Sequence, residues 1–393
     1  METAKRLKEL LIPLRRYSLK VLFQSRKTLF TAPGGDTTQI LKTKEYLQKL
    51  GIDVDISLEL TPDLSQYDVV HVFNLMRPQD IYLQVMNAKK QNKKVALSTI
   101  YGPYTEYEKK ARGGILQFLN RFLSITQIEY LKVIVRAILN REFSKGTFYY
   151  LINGHKRLQR KIINQVDVFL PNSHSEMHRV IDDFKLKRHK YIPVPNAVDT
   201  NKFNYENTPI VPELGKYSAC VLCVARIEGR KNQLNIVRVA RELPYKFVFL
   251  GKAGTNSTKY MEQCLQECTD NCVFLGQIDH EMLPQYYKLS KVHVLASWME
   301  TPGLSSLEAG IMRNNIVVTK KGDTEDYFDN KAFYCEPDDI QSIREAIVKA
   351  HETPYIEELG EKIIKEYKWE DTAHKTLEAY QLILATKQPN DIF

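Results

Sequence analysis

The 393-residue sequence predicts an α/β protein made of two doubly wound parallel-sheet domains facing each other across a cleft. Three observations predict this. Short apolar runs alternate with longer amphipathic ones along most of the chain. The alternation lapses in the loop 195–212 and then restarts as a second series. The length is too great for one comfortable core, and the 43% apolar content suits a globular rather than a disordered chain.

In the first series, 28–31 (TLFT) reads as a buried strand. The turn Pro33-Gly34-Gly35 follows, then a helix starting near Asp36, which reads as its N-cap rather than as a catalyst. Further strands are expected at 54–58, 68–72, 95–99, 166–170 and 191–194, with helices between most of them. Ser173 and Glu176 have capping-box spacing, so a helix should begin at SHSEMHRVI. In the second series, strands are expected at 219–224, 247–250, 273–275, 292–295 and 316–319, with a helix around 234–243 and others between. A last amphipathic helix, roughly 370–385, carries Leu377, Tyr380, Leu382 and Ile383; its own pattern does not say which domain it covers. The domains read as 1–205, with a basic helical insert at about 105–163, then 206–365, then 366–393.

The net charge of +9 is concentrated in the first half. Residues 1–27 hold eight Lys/Arg against two Glu, and residues 109–161 hold twelve against two. Such a surface suggests an anionic partner, membrane lipid or nucleic acid. Between 115 and 139 apolar residues recur at helical spacing with Arg121, Lys132 and Arg136 among them. Helices capping the first domain and a surface docking on anionic lipid both fit this pattern. No RNA-binding signature with interleaved aromatics is present, and no nucleic-acid partner is expected. No stretch approaches the ~20 apolar residues of a membrane span. The basic N-terminus, broken by Pro13, lacks a signal-peptide core, so a cytoplasmic location is expected, possible contact with the membrane's inner face included.

Two segments carry candidate chemistry. Residues 298–310 (WMETPGLSSLEAG) follow one strand and precede another, so Pro302 and Gly303 feed a helix starting near Leu304. The free amides of its first turn can bind a diphosphate. Glu308 lies about a turn into that helix, able to reach a diol, and Glu300 precedes it, able to bond hydroxyls. In 224–232 (VARIEGRKN), Arg226 leaves a strand end and Lys231 stands at the next helix start; together they can neutralise a diphosphate leaving group. Each pair by itself also fits chance spacing or a solvated basic loop. Cys220 and Cys223 sit inside an apolar strand on opposite faces, which reads as core rather than metal ligation. Cys264, Cys268 and Cys272 have near-helical spacing and read as one packing face. His71 reads as a strand-end residue or a cleft lining, His174 as surface, and Trp298 and Met312 as packing.

The pieces VARIEGRKN, FLGKAG, FLGQID, ETPGLSSLE and KGDTEDYF occur in an order that resembles family-4 glycosyltransferases of the GT-B fold. The Gly34-Gly35 loop and PNAVD at 195–199 resemble that family too. The resemblance covers about 27–385 and is densest in 219–345. It implies two Rossmann-like domains, a C-terminal helix crossing back to the first, and a retaining transfer of sugar from a nucleoside-diphosphate sugar to a glycan or lipid-linked acceptor, of the sort used in cell-surface polysaccharide or lipopolysaccharide synthesis. By the same resemblance Glu300 contacts the donor sugar and Glu308 the ribose. Gly303, Leu304 and Ser305 supply backbone donors, and Arg226 and Lys231 stabilise the departing diphosphate. Gln277 and Ile278 lie by the base, and Gly35 lets the first domain approach. No cofactor and no metal are implied. The sequence departs from the family at Ile100-Tyr101-Gly102, where many members carry a histidine, at GIMRNN after Glu308, and at Ala197. The competing readings are a non-catalytic scaffold of the same fold binding membrane or nucleic acid, and a nucleotide-sugar epimerase.

Overall fold

The computed structural model describes residues 19–110, 127, 130, 131, 134, 135, 145–254 and 257–385. The basic segment up to residue 18 and most of the helical pattern at 115–139 lie outside the described residues.

The first sheet contains β1 (Lys20–Gln24), β2 (Asp53–Ser57), β3 (Val69–Phe73), β4 (Lys94–Ser98) and β5 (Val168–Phe169) in the order β2-β1-β3-β4-β5. Every pairing is parallel. Its helices are α1 (Gly35–Lys49), α2 (Pro78–Lys90), α3 (Thr105–Lys110), α4 (Lys145–Asn153), α5 (His155–Ile163) and α6 (His174–Phe184). The second sheet contains β6 (Cys220–Val224), β7 (Phe247–Leu250), β8 (Cys272–Gly276), β9 (Ser290–Leu295), β10 (Asn315–Thr319) and β11 (Phe333–Cys335), ordered β11-β10-β9-β6-β7-β8 and again parallel. With it go α7 (Gln233–Ala240), α8 (Thr258–Gln266), α9 (Leu283–Leu289), α10 (Leu304–Ile311), α11 (Thr324–Phe328), α12 (Ile340–Glu352), α13 (Glu357–Glu366) and α14 (Trp369–Leu384). Both sheets have a core on each face, which explains why their central strands read as continuous apolar runs. No helix among the described residues is long and apolar enough to cross a membrane.

Several sequence expectations need correction. The first strand is KVLFQ at 20–24, inside the segment read as a basic arm, and not TLFT. Val21, Leu22 and Phe23 are all buried between β2 and β3, whereas Phe30 of TLFT points to solvent and 27–31 form a turn. Arg26 holds that turn by donating to the carbonyls of Thr28 and Ala32. The first helix is capped by Gly34, not Asp36. Asp36 instead pairs with Arg26 at 2.7 Å; burial pushes its carboxyl up, but that ion pair together with bonds from Asn74 and the Thr37 amide holds it below the ordinary range. Residues 191–194 form only a single bridge, Phe169 with Tyr191. The short strand β11 was not foreseen: three residues are too few to show a period. Cys264, Cys268 and Cys272 do not share a helix, because α8 ends at Gln266 and Cys272 begins β8. Cys220 and Cys223 are buried on opposite faces of β6, as the strand period requires.

The chain crosses back to the first domain at Tyr367–Lys368, where Val198 N–H donates to the Tyr367 carbonyl at 3.0 Å. Helix α13 packs on α10 of the second domain and α14 on α1 of the first. Tyr380 and Ile383 of α14 are fully buried in the first-domain core. Burying a side chain the size of Ile383 contributes about 1.5–3 kcal/mol. His71 is no cleft residue. It is buried in β3, bonded to the Tyr380 hydroxyl at 2.7 Å and to Ser98 Oγ at 2.9 Å, and burial lowers its pKa to about 3, which keeps it neutral. His174 is exposed, and Trp298 and Met312 are buried packing residues.

Candidate active site

The loop leaving β6 carries the two expected cations. After Arg226 a short 3-10 turn, Gly229–Lys231, delivers Lys231, and Asn232 follows in the left-handed region at φ 63°. Asn232 is buried and its amide donates to the carbonyls of Ala296 at 3.0 Å and Pro337 at 2.7 Å, so the turn is clamped from two other strand ends. Gln233 donates back to the Arg226 carbonyl at 2.9 Å. Lys231 Nζ pairs with Glu300 Oε1 at 2.5 Å, with the glutamate side chain only 6% exposed and the lysine 18%. Arg226 keeps a more exposed guanidinium, 3.8 Å from Glu228.

Glu300 is fixed through its backbone by the KGDTEDYF stretch. Its amide donates to the Lys321 carbonyl at 3.1 Å, and its carbonyl accepts from the Asp323 amide at 2.9 Å. This pairing needs a glycine at 322: φ is +104°, and a Cβ there would stand 2.0 Å from the Glu300 carbonyl oxygen. Gly303, φ +84°, is then the N-cap of helix α10 and offers no side-chain cap. The first-turn amides, those of Leu304 and Ser305, have no intrahelical acceptor and present the positive end of the helix. Leu304 itself packs against the first-domain core, so this helix start lies at the domain boundary. One helical turn on, Glu308 accepts from the Tyr287 hydroxyl at 2.9 Å and lies 3.7 Å from His280 Nε2. Gln277 is exposed in the loop after β8, and Ile278 packs on the second-domain core.

From the first domain, the Gly34-Gly35 loop approaches Arg226. Gly34 faces it: a Cβ at that position would lie 3.8 Å from Arg226 Nη2, whereas nothing lies within 4 Å of one at Gly35. The segment after β4, where the resemblance leads one to look for a histidine, turns at Ile100 (φ +41°) and brings Gly102 against Met299. It continues to Tyr104, whose ring lies 5.0 Å from the Arg230 guanidinium and whose hydroxyl accepts from Arg230 at 2.7 Å. Lys110 pairs with Asp338 at 2.7 Å and Lys321 with Glu106 at 3.2 Å, so 101–110 reaches across to the second domain at several points.

A second interdomain cluster went unread in the sequence. Glu176 follows Ser173 as expected, and its amide donates to Ser173 Oγ at 2.9 Å. Its side chain does not close the box. It is fully buried and accepts from Thr99 and from the amides of Tyr101 at 2.8 Å and Asn172 at 3.0 Å. Burial pushes its pKa up in spite of those bonds. One turn along α6, Arg179 pairs with the buried Asp323. Burial, and then the charge of Glu176, push Asp323 up to about 7, against the pull of Arg179. Ser175 donates to Asp326 from both its amide and its hydroxyl, at 3.0 and 2.8 Å. The segments SHSEMH and KGDTEDYF were both visible in the sequence, but nothing local shows that they meet.

The site thus gathers a helix amide end, one buried Lys–Glu pair, one freer arginine and an approaching glycine loop. Such an arrangement has the chemistry to hold a diphosphate beside a hydroxyl-bearing group. Comparison with known proteins agrees in class. Residues 206–369, most of the second domain, match the family model described as Glycosyl transferases group 1. Among solved structures, the chain aligns with sucrose-phosphate synthase from Thermosynechococcus elongatus at TM-score 0.69 and 14% identity, over 94% of this chain and 100% of that one. It aligns with Anabaena Alr3699/HepE in complex with UDP and glucose at TM-score 0.62 and 13% identity, over 92% and 98%. These likenesses establish the GT-B fold, two Rossmann-like domains across a cleft.

Two sequence relatives match part of the chain. An uncharacterized 41.2 kDa protein in the cps region of Klebsiella pneumoniae is 26% identical over 39% of this chain and 42% of its own length. Mannosylfructose-phosphate synthase of Agrobacterium fabrum is 24% identical over 45% of this chain and 43% of its own. Each match spans under half of the relative's length.

Proposed function

We propose that this protein is a retaining glycosyltransferase that moves a sugar from a nucleoside-diphosphate sugar to an alcohol on a glycan or lipid-linked acceptor. The observation that carries the proposal is the Lys231–Glu300 pair, set beside the free amide end of α10 and opposite the Gly34 loop. In this reading Lys231, Arg226 and the amides of Leu304 and Ser305 take up charge on the diphosphate as the bond from its oxygen to the anomeric carbon breaks. The acceptor oxygen bonds to that carbon from the same face, and its proton passes to the departing phosphate oxygen. Glu300 orients Lys231 and accepts from a sugar hydroxyl. Glu308, steadied by Tyr287, holds the ribose, with the base near Gln277 and Ile278. The fixed cations do the electrostatic work, and we propose a reaction without a metal. A uridine donor is the first to test, because HepE was solved with UDP and glucose. Cell-surface glycan or lipopolysaccharide assembly on the inner membrane face suits the expected acceptors.

The test is turnover of a panel of uridine and guanosine diphosphate sugars, with nucleoside-diphosphate binding followed by calorimetry. Release of the nucleoside diphosphate that depends on Lys231 and Glu300 supports the reading. Well-folded protein that takes up no nucleoside diphosphate overturns it, and an isomerised donor without transfer indicates an epimerase.

A further inference from the structure

Helices α4 and α5 form a hairpin joined at Gly154, φ +74°. Their inner sides hold Tyr150, Leu158, Ile162 and Ile163 in the first-domain core, and both helices pack on α2. Their outer sides carry two neighbouring stripes of opposite character. On α4, Phe148, Tyr149 and Ile152 share a face by helical spacing and are 62%, 41% and 64% exposed. On α5, Lys156, Arg157, Arg160 and Lys161 are all exposed. Residues 145–163 contain no Asp or Glu, and no carboxylate among the described residues pairs with Lys156, Arg157 or Arg160. Lys161 donates to Asn153, at 2.7 Å.

We propose that this hairpin docks the protein on an anionic lipid bilayer. A cationic stripe with no acidic residue matches anionic head groups, and the adjacent exposed Phe148 and Ile152 match the acyl boundary just beneath them. Nucleic acid fits less well: it rewards cations and flat rings, and an aliphatic Ile152 offers it nothing. The place in the fold also fits. Gln159 of α5 donates to the Leu75 carbonyl at 2.9 Å, just past the carboxyl end of β3. The hairpin therefore flanks the end of the first sheet that opens on the cleft. Docking itself does not depend on the proposed chemistry; its use in presenting a lipid-linked acceptor to the cleft rests on that reading.

The experiment is co-sedimentation of the full chain with vesicles of phosphatidylcholine alone or containing one-third phosphatidylglycerol, at low salt and at about 0.5 M. Two variants are compared: Lys156→Gln, Arg157→Gln, Arg160→Gln and Lys161→Gln together, and Phe148→Ser with Ile152→Ser. Circular dichroism melts and nucleoside-diphosphate calorimetry report whether each is intact. Preferential binding to anionic vesicles is expected, reduced ~100-fold in the charge variant, with the salt-resistant part lost in the apolar variant. Intact variants that bind anionic vesicles as tightly as the parent overturn the proposal. So does a parent chain that binds a single-stranded oligonucleotide but not vesicles. Vesicle binding with no nucleoside-diphosphate uptake sinks the transferase reading and leaves this one standing; the reverse result sinks only this one.

Discussion

Replacing Lys231 by Met separates the two things the Lys231–Glu300 pair can do. In the proposed reaction it removes a cation from the place where the leaving diphosphate gains charge. Loss of one such preorganised group costs about 10²–10³-fold in kcat. It also leaves the Glu300 carboxylate, 6% exposed, without its partner. Stranding one member of a fully buried pair costs about 3–5 kcal/mol, and with Lys231 partly in contact with water about 1–3 kcal/mol is the better figure. For a domain of this size that is a fall in Tm of roughly 2–10 °C. The double variant Lys231→Met, Glu300→Gln removes the stranded charge, so most of the lost stability should return. Activity should not return, since neither group can then act on the donor. The assay is donor turnover alongside thermal melts of the parent, both single variants and the double variant. A double variant that regains turnover together with Tm would refute the reasoning and make the pair a structural device only.

Four other outcomes follow from the geometry. Gly322→Ala forces a methyl group to 2.0 Å from the Glu300 carbonyl, so kcat should fall ~10-fold or more with a Tm loss worth about 1–3 kcal/mol, read by kinetics and melting. Asp323 is raised from 3.8 to about 7, so between those values the folded protein binds more protons than the unfolded chain and this group's contribution to stability declines as pH rises; Asp323→Asn should flatten that slope in melts run across pH 4–7. Arg230→Ala removes both the stacking and the hydrogen bond to Tyr104 and should open the cleft, seen as a larger radius of gyration in small-angle scattering. Treatment with EDTA should leave the transfer rate unchanged, and a rate restored only by added divalent cation would contradict the proposed charge stabilisation.

Much of the site was legible because it is built from short local pieces. A strand end, a Pro-Gly turn and a helix start are punctuated within a dozen residues at 298–310, and the amide end that results needs no distant partner. The same holds for Arg226–Lys231 after β6. Gly34 rather than Gly35 faces Arg226 because that approach depends on how the two domains sit, and spacing within the loop does not report it. The strand KVLFQ went unread because its apolar core is short and lies beside a basic arm. Its central place came only from being paired on both sides by β2 and β3.

By itself the sequence determined the alternation of strand and helix, the restart after 195–212, and the residue types that line the second domain's strand ends, since each is written in periods of two or 3.6 and in Gly and Pro punctuation. The tertiary structure alone decided which of those ends meet. Lys231 finds Glu300 across 69 residues, Arg179 finds Asp323 across 144, and His71 finds Tyr380 across 309. A periodic pattern says which face of an element is buried but not which other element buries it. That choice is made by the packing of whole sheets and by the chain crossing back at Tyr367–Lys368.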